Sequence, residues 1–422
     1  MSGGSGISQY ATTPVPDDQS VPGWRVALII ASFSIALPSF LSGAQTGMAL
    51  GFRDSVLASL LAGIILCAGG CLTSIISVRS RLTTYLLVQR SFGRQGATVV
   101  NLVIAAVHYG WFGVNVSFFG SAMAAAVARV YGVQGDFTTF VIFGSVLMTV
   151  STIFGFKMLD RLALIAVPFL GIILVLLCYY AVQTGGVVTA PAPVPPVPMS
   201  FGIALSALIG GNMLAVAAMP DLSRYIRTSR SAVVAMLLSF PVAAPILAVV
   251  AALTALATNE VDIIALVVRF GLGLPALAML VLSCWTINGS NLYSASLSVS
   301  ATFPSVRPWV FTIVGGFIGG AFALMHIIDA FIPFLLFLGL IIPPIAAIYV
   351  IDGFTKFREA DAAESIRDLP AVHWPALGTW IGSVAIALLA EWAGLSLTTV
   401  PTLDATIIAA IVYFLWLRAV RR

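Results

Sequence analysis

The chain has 422 residues, 60% of them hydrophobic and 9% charged, against about 25% charged in a soluble domain. That leaves too little polar surface for a water-facing shell, so an all-α polytopic membrane protein is expected. The net charge of +4 is not gathered on a soluble module, which excludes nucleic-acid binding through a basic patch.

Residues 1–22 are rich in Ser, Gly and Pro. They lack the basic-then-apolar order of a signal peptide and read as a disordered cytoplasmic tail. A bilayer core needs about 20 apolar residues per helix, which predicts about twelve spans here. The first five lie near 26–50, 55–77, 97–128, 137–156 and 162–183, within a unit at 23–183. The external loop 184–200 contains TAPAPVPPVPMS, a stiff extended spacer. A second five-helix unit at 201–351 holds spans near 201–219, 232–256, 263–300, 309–325 and 328–351. Residues 352–373 carry mixed charges and read as a solvated cytoplasmic loop. The last two spans, near 375–395 and 403–419, belong to a C-terminal unit at 374–422.

Orientation follows from the 20 Lys and Arg residues. With the N-terminus in the cytoplasm, Arg53, Arg129 and Arg269 fall outside and all the others inside. The positive-inside rule therefore predicts a multi-pass protein of the cytoplasmic (inner) membrane with both termini in the cytoplasm. Cys67, Cys71, Cys178 and Cys284 lie in apolar runs with no histidine or carboxylate to join them, and read as small buried side chains.

Two spans carry helix-weakening residues at mid-membrane. Span one contains ALPSFLSG (36–43) and span six IGGNML (209–214). Pro38 removes a backbone donor, and Gly210–Gly211 loosens the ladder. Breaks in the first helix of each five-helix unit suggest an inverted repeat with discontinuous helices, whose free backbone groups meet substrate and cation near the midplane. The sequence separation of Pro38 and Gly211 is close to that of Trp111 and Asn288, as a duplicated unit requires.

Span three carries His108, Trp111 and Asn115 at helical spacing on one face, with Gly110 and Gly113 beside them. Span eight offers SCWTINGSN (283–291), with Thr286, Asn288, Ser290 and Asn291. Span six adds Gly211 and Asn212 at its weak point. Interhelical hydrogen bonding accounts for a single asparagine in a membrane helix. The whole set, with a tryptophan among amides, better suits a pocket for a neutral planar heterocycle: an aromatic face for stacking, amides for edge donors and acceptors. The predicted substrate-binding residues are His108, Trp111, Asn115, Gly211, Asn212 and Asn288. A carrier for an amino acid needs groups for a carboxylate and an amine, which this set lacks. No G-x-S-x-G, H-E-x-x-H or paired-aspartate motif supports an intramembrane hydrolase, and no Walker motif supports ATP-driven transport. The protein is therefore expected not to be an enzyme and to need no cofactor beyond a coupling ion.

Five stretches carry a family resemblance: RLTTYLLVQRSFG (81–93), GWFG (110–113), PDLSRYIR (220–227), WTINGSNLYSASL (285–297) and IPPIAAIYVIDGF (342–354). Together they resemble the nucleobase–cation symporter family, nearest its bacterial cytosine permease branch. The resemblance implies the leucine-transporter-type fold, five plus five inverted helices followed by two more. It implies import of a nucleobase such as cytosine or a purine, or of a related solute such as hydroxymethylpyrimidine, hydantoin or allantoin, in symport with a cation. Trp111 matches the family's stacking tryptophan and Asn288 its base-bonding asparagine. His108 stands where cytosine permeases have glutamine, Asn212 where they have a second stacking aromatic, and Leu214 where they have serine.

The resemblance also implies a sodium site formed by carbonyls of Ser32, Ile35 and Ser283 with the Thr286 hydroxyl. The family's second hydroxyl is replaced by Ile287, which leaves sodium short of an oxygen. The coupling ion is thus H+ or Na+, with His108 as a titratable group in the pocket and Asp329, near the outer end of span ten, as a weaker one. The expected partners are a small heterocyclic substrate and the lipid bilayer, and the oligomeric state is left open.

Overall fold

The structure, a computed structural model, describes residues 13–34, 36–153, 156–186, 189–303, 305–358 and 368–420. Helices follow the predicted spans in order. The first unit holds α1 (Gly23–Ser34), α2 (Leu37–Leu50), α3 (Phe52–Ser80), the short α4 (Thr84–Phe92), α5 (Arg94–Tyr131), α6 (Phe137–Ile153) and α7 (Phe156–Gly185). The second holds α8 (Phe201–Ala217), α9 (Pro220–Ser223), α10 (Ser229–Leu238), α11 (Ala244–Thr258), α12 (Ile263–Arg269), α13 (Gly273–Thr302), α14 (Pro308–Leu324) and α15 (Phe331–Phe354). Then come α16 (Trp374–Trp392) and α17 (Pro401–Val420). Eight helical segments are long and apolar enough to cross a bilayer, and α6, α14 and the Gly171–Gly185 part of α7 are shorter apolar helices. Polar caps mark the starts: Thr83 for α4, Ser200 for α8, Thr228 for α10 and Asp262 for α12 each accept a backbone N–H of the first turn.

The two halves interlock. The α2 helix packs on α11, and α3 packs on α8, so the opening helices of each half pair with the second span of the other. The long α5 and α13 cross at the centre, with α14 and α6 against them. This is the reciprocal pattern of an inverted repeat. On the α2–α11 seam small residues let the backbones touch: a Cβ on Gly47 would come to 2.5 Å of Ala252 Cβ and one on Gly43 to 2.8 Å of Ala248 Cα. The buried apolar side chains form two large clusters, one holding α1, α3, α4 and α10, the other α2, α6, α7 and α13.

The predicted break in span one is present. The α1 helix ends at Ser34 and α2 begins at Leu37. Pro38 sits in the first turn of α2, where its missing N–H is one that a helix leaves unbonded anyway. The predicted interruption in span six differs. The α8 helix runs unbroken through Gly210–Gly211 to Ala217 before the chain turns into α9. Gly210 instead admits α15: a Cβ there would collide with the Leu335 carbonyl oxygen and lie 3.0 Å from Gly339 N. With the neighbouring backbone this near, two glycines give close helix contact without loss of the hydrogen-bond ladder.

The predicted run 263–300 divides into α12 and α13 at a turn through Gly271, which has φ of 67°. The expected disordered tail is partly placed. Val15 is buried, its N–H donating to Arg81 O, and Val21 bridges to Ile226. The rest of that tail, residues 1–12, and most of the charged loop, 359–367, lie outside the described residues.

Gly210→Ala separates the two readings of span six. A break-forming glycine tolerates alanine or gains helix stability from it. A close-approach glycine forces α8 and α15 apart, at about 1–3 kcal/mol. We expect the purified variant to melt at a lower temperature than the wild type.

Candidate substrate site

The α5 face that carries His108, Trp111 and Asn115 is buried at the centre of the molecule. Trp111 is half-buried and packs against both apolar clusters. Its ring meets Phe334 edge-on at 5.5 Å between centroids and Phe331 at 6.4 Å, both from α15. Asn115 is buried, its amide N–H donating to Trp111 O one turn back at 2.9 Å. Its side-chain oxygen is buried with no partner. That orphan acceptor lies one turn from the indole.

His108 is buried, with Nδ1 3.3 Å from Asn291 Oδ1 on α13. A carbonyl oxygen only accepts, so the pairing places the imidazole proton on Nδ1 and leaves Nε2 as an acceptor. Asn291 lies in the span-eight stretch but is not among the predicted site residues. Asn288, which is, faces other partners. Its amide N–H donates to Phe112 O at 3.1 Å and approaches Met148 Sδ at 3.2 Å, in the seam of α5, α6 and α13. Its own oxygen is buried and unpartnered. The two asparagines are less than one turn apart on α13, so a modest rotation of the helix decides which one meets His108. The same stretch contains Trp285, whose indole N–H donates to Ser151 Oγ at 2.8 Å.

The span-six residues face other neighbours. Gly211 lies against the Leu335 side chain of α15. Asn212 donates to Leu208 O at 3.2 Å and lines a cavity of about 30 Å³ with Ser39, Ser42 and Ser59. No residue of α5 stands in that wall. The structure thus brings His108, Trp111 and Asn115 together with Asn291 and Phe334, and sets Asn212 inside the bundle of α2, α3, α8 and α11. Phe334 gave no sequence signal, since phenylalanines are common in span ten.

Of the sodium ligands expected from the resemblance, Ser283 and Thr286 are described, both on α13. Ile35 and the Ser32 side chain lie outside what is described. The α13 helix is continuous through Ser283 and Thr286, so the Ser283 carbonyl is already in a helical ladder. The Thr286 hydroxyl donates to Leu282 O at 2.9 Å. Ile287 brings no oxygen. Asp329, the weaker proton candidate, is exposed in the short turn that precedes α15. Among the described residues no group of three or more His, Cys, Asp or Glu side chains could hold a metal ion.

Interlocked five-helix halves, a broken first span, and an aromatic ring with amides where the halves meet define a multi-pass membrane transporter, not an enzyme. The chain belongs to the family described as permeases for cytosine/purines, uracil, thiamine and allantoin, whose pattern it matches over residues 14–390. It is 28% identical over 371 residues to the cytosine permease of Escherichia coli strain K12, covering 88% of this chain and 86% of that one. Its fold is similar to Mhp1, a nucleobase-cation-symport-1 family transporter. The TM-score is 0.82 to the closed form with bromovinylhydantoin bound, at 17% identity over 98% of this chain and 96% of that one. It is 0.84 to the inward-facing form, at 17% identity over 97% and 93%. A Na+-coupled sialic acid symporter is more distant, with a TM-score of 0.65 at 14% identity over 94% and 89% of the two chains. The leucine-transporter-type arrangement expected from the sequence is therefore the fold.

The two span-eight asparagines can be ranked by experiment. Asn291→Leu leaves the His108 N–H without its acceptor beside Trp111, at about 1–3 kcal/mol. Asn288→Leu acts first on the α5–α6–α13 seam. Ligand affinity should fall further in Asn291→Leu, and thermal stability further in Asn288→Leu. The opposite order in a binding assay paired with a melting curve would assign the ligand contact to Asn288.

Proposed function

We propose that this protein imports a nucleobase, or a closely related planar heterocycle, across the cytoplasmic membrane by alternating access, driven by a co-transported cation. The observation that carries the reading is Trp111, a half-buried indole where two apolar cores meet, flanked by an imidazole-and-amide edge. An aromatic face suits any base, and orphan acceptors such as Asn115 Oδ1 suit ring or exocyclic N–H donors. None of these site residues is charged, which disfavours an amino acid.

Cytosine is the first substrate to test, because curated relatives that match most of the chain are cytosine permeases. His108 and Asn212 stand where that branch has glutamine and an aromatic, so a purine or another pyrimidine belongs in the same panel. The orientation with both termini inside rests on the Lys and Arg distribution. The α16 helix agrees in length with a bilayer-spanning element: Trp374 and Trp392, 71% and 88% exposed, stand at its two ends. Its rise of about 28 Å matches a hydrocarbon core of about 30 Å. Protons are the favoured coupling ion, since Ile287 and the bonded Thr286 leave sodium few oxygens.

Two experiments test this reading. Trp111→Ala should weaken base binding by about tenfold to a hundredfold, the usual worth of base–aromatic stacking. Unchanged affinity in a correctly inserted variant would remove Trp111 from the site. For coupling, proteoliposomes given separate sodium and proton gradients should take up base mainly with the proton gradient. Sodium stimulation should appear in Ile287→Thr. Strong saturable sodium dependence in the wild type would overturn proton coupling.

A further inference from the structure

Only Trp111 and Phe334, among the half-buried apolar side chains of the described residues, pack against both large clusters. They meet there edge to face, with centroids 5.5 Å apart and planes at 70°. The contact is built into the backbone. A Cβ on Gly110 would lie 2.9 Å from Phe334 Cε2 and Cζ, so the ring rests on α5 one residue from the indole. Phe331, on the same helix, is farther from Trp111 at 6.4 Å and is almost fully buried. The span-six position that the resemblance assigns to a second stacking aromatic holds Asn212, which lines the cavity beside Ser39, Ser42 and Ser59. One aromatic wall of the site is therefore missing from the helix expected to supply it, while an aromatic from another helix stands against the first wall.

We propose that Phe334 is the second aromatic wall of the base site, supplied by α15 instead of span six. The proposal rests on the base-carrier reading above. A ring held between two parallel rings needs two contact distances of about 3.5 Å each, roughly 7 Å in all. The observed 5.5 Å is too small, so Phe334 moves out to admit a base and returns to cover it. The α15 helix has a place for that movement. Pro343 and Pro344 lie inside it and lack the N–H groups that would bond the Gly339 and Leu340 carbonyls. The outer segment that carries Phe334 is thus less firmly tied to the inner half than in an ordinary helix. Below the prolines the inner half is anchored, with the Tyr349 hydroxyl donating to Ala217 O at 2.7 Å and the Tyr413 hydroxyl to Asp352 at 3.0 Å.

The test is equilibrium binding of labelled cytosine, uracil, adenine and hypoxanthine to the full-length chain in lipid nanodiscs. Wild type is compared with Phe334→Leu, Phe334→Met, Phe334→Tyr and Phe331→Leu, each with a melting curve. We expect Leu and Met at 334 to weaken every base the wild type binds by about tenfold to a hundredfold. Tyr at 334 restores wild-type affinity, and Phe331→Leu leaves it unchanged. Leu and Met conserve volume, so rescue by Tyr alone reports an aromatic face and not packing. Wild-type affinity in Phe334→Leu or Phe334→Met overturns the second wall and leaves the base-carrier reading standing. Equal loss in Leu, Met and Tyr variants overturns it too, by showing that size and not aromaticity matters. A wild type that binds none of the four bases defeats the base-carrier reading itself.

Discussion

Inside a bilayer no water is at hand for a backbone N–H or C=O, and that constraint shapes everything else in this molecule. Helices satisfy their interiors. Their ends need specific partners, and those partners tie one end of the bundle together. The Arg81 guanidinium donates to the carbonyls of Arg224 and Ile226 at 2.8 and 2.7 Å. Asp221 accepts the Thr84 N–H at 2.8 Å. The first turn of α5 donates from Arg94 and Gln95 to the carbonyls of Pro370 and Ala371, so the loop before α16 caps the longest helix. Arg90, on α4 and outside the spans, is buried in this region. Burial pulls its guanidinium down to about 10, partly opposed by the charge of Asp352.

The same rule explains where polarity survives in the spans. Most polar side chains there bond a carbonyl one turn back: Ser117, Thr152, Asn212 and Thr286 all do so. Such groups are neutralised within their own helix. Some of the exceptions lie along α5 and α13. His108 reaches Asn291, and the oxygens of Asn115 and Asn288 are left buried and bare. Unmet acceptors in a lipid-bound core cost free energy, of the order of 1–3 kcal/mol each. Of the two, the Asn115 oxygen lies one turn from the half-buried Trp111.

Within the second apolar cluster the α2–α11 seam, rich in glycine and alanine, gives close contact. The Trp111 side, by contrast, is closed by aromatic rings that meet edge-on. Rigid small-residue contacts suit parts that move as bodies. Edge-on rings can part without breaking hydrogen bonds. An alternating-access carrier needs both.

Spans, their order, the break before Pro38 and the polar face of α5 were all legible in the residues, because they follow from local hydropathy, from the missing N–H of proline and from helical periodicity. Gly210–Gly211 misled, because glycine permits either a break or a close contact and only the neighbour decides. That neighbour, α15, lies more than a hundred residues away in the chain. The choice between Asn288 and Asn291 is of the same kind. His108 and Asn291 are 183 residues apart, and which face of α13 meets α5 depends on how both helices are rotated by all their other contacts. Periodicity states which residues share a face. It does not state what that face meets, and so the placing of Asn212 in the bundle cavity and of Phe334 over Trp111 was decided by the tertiary structure.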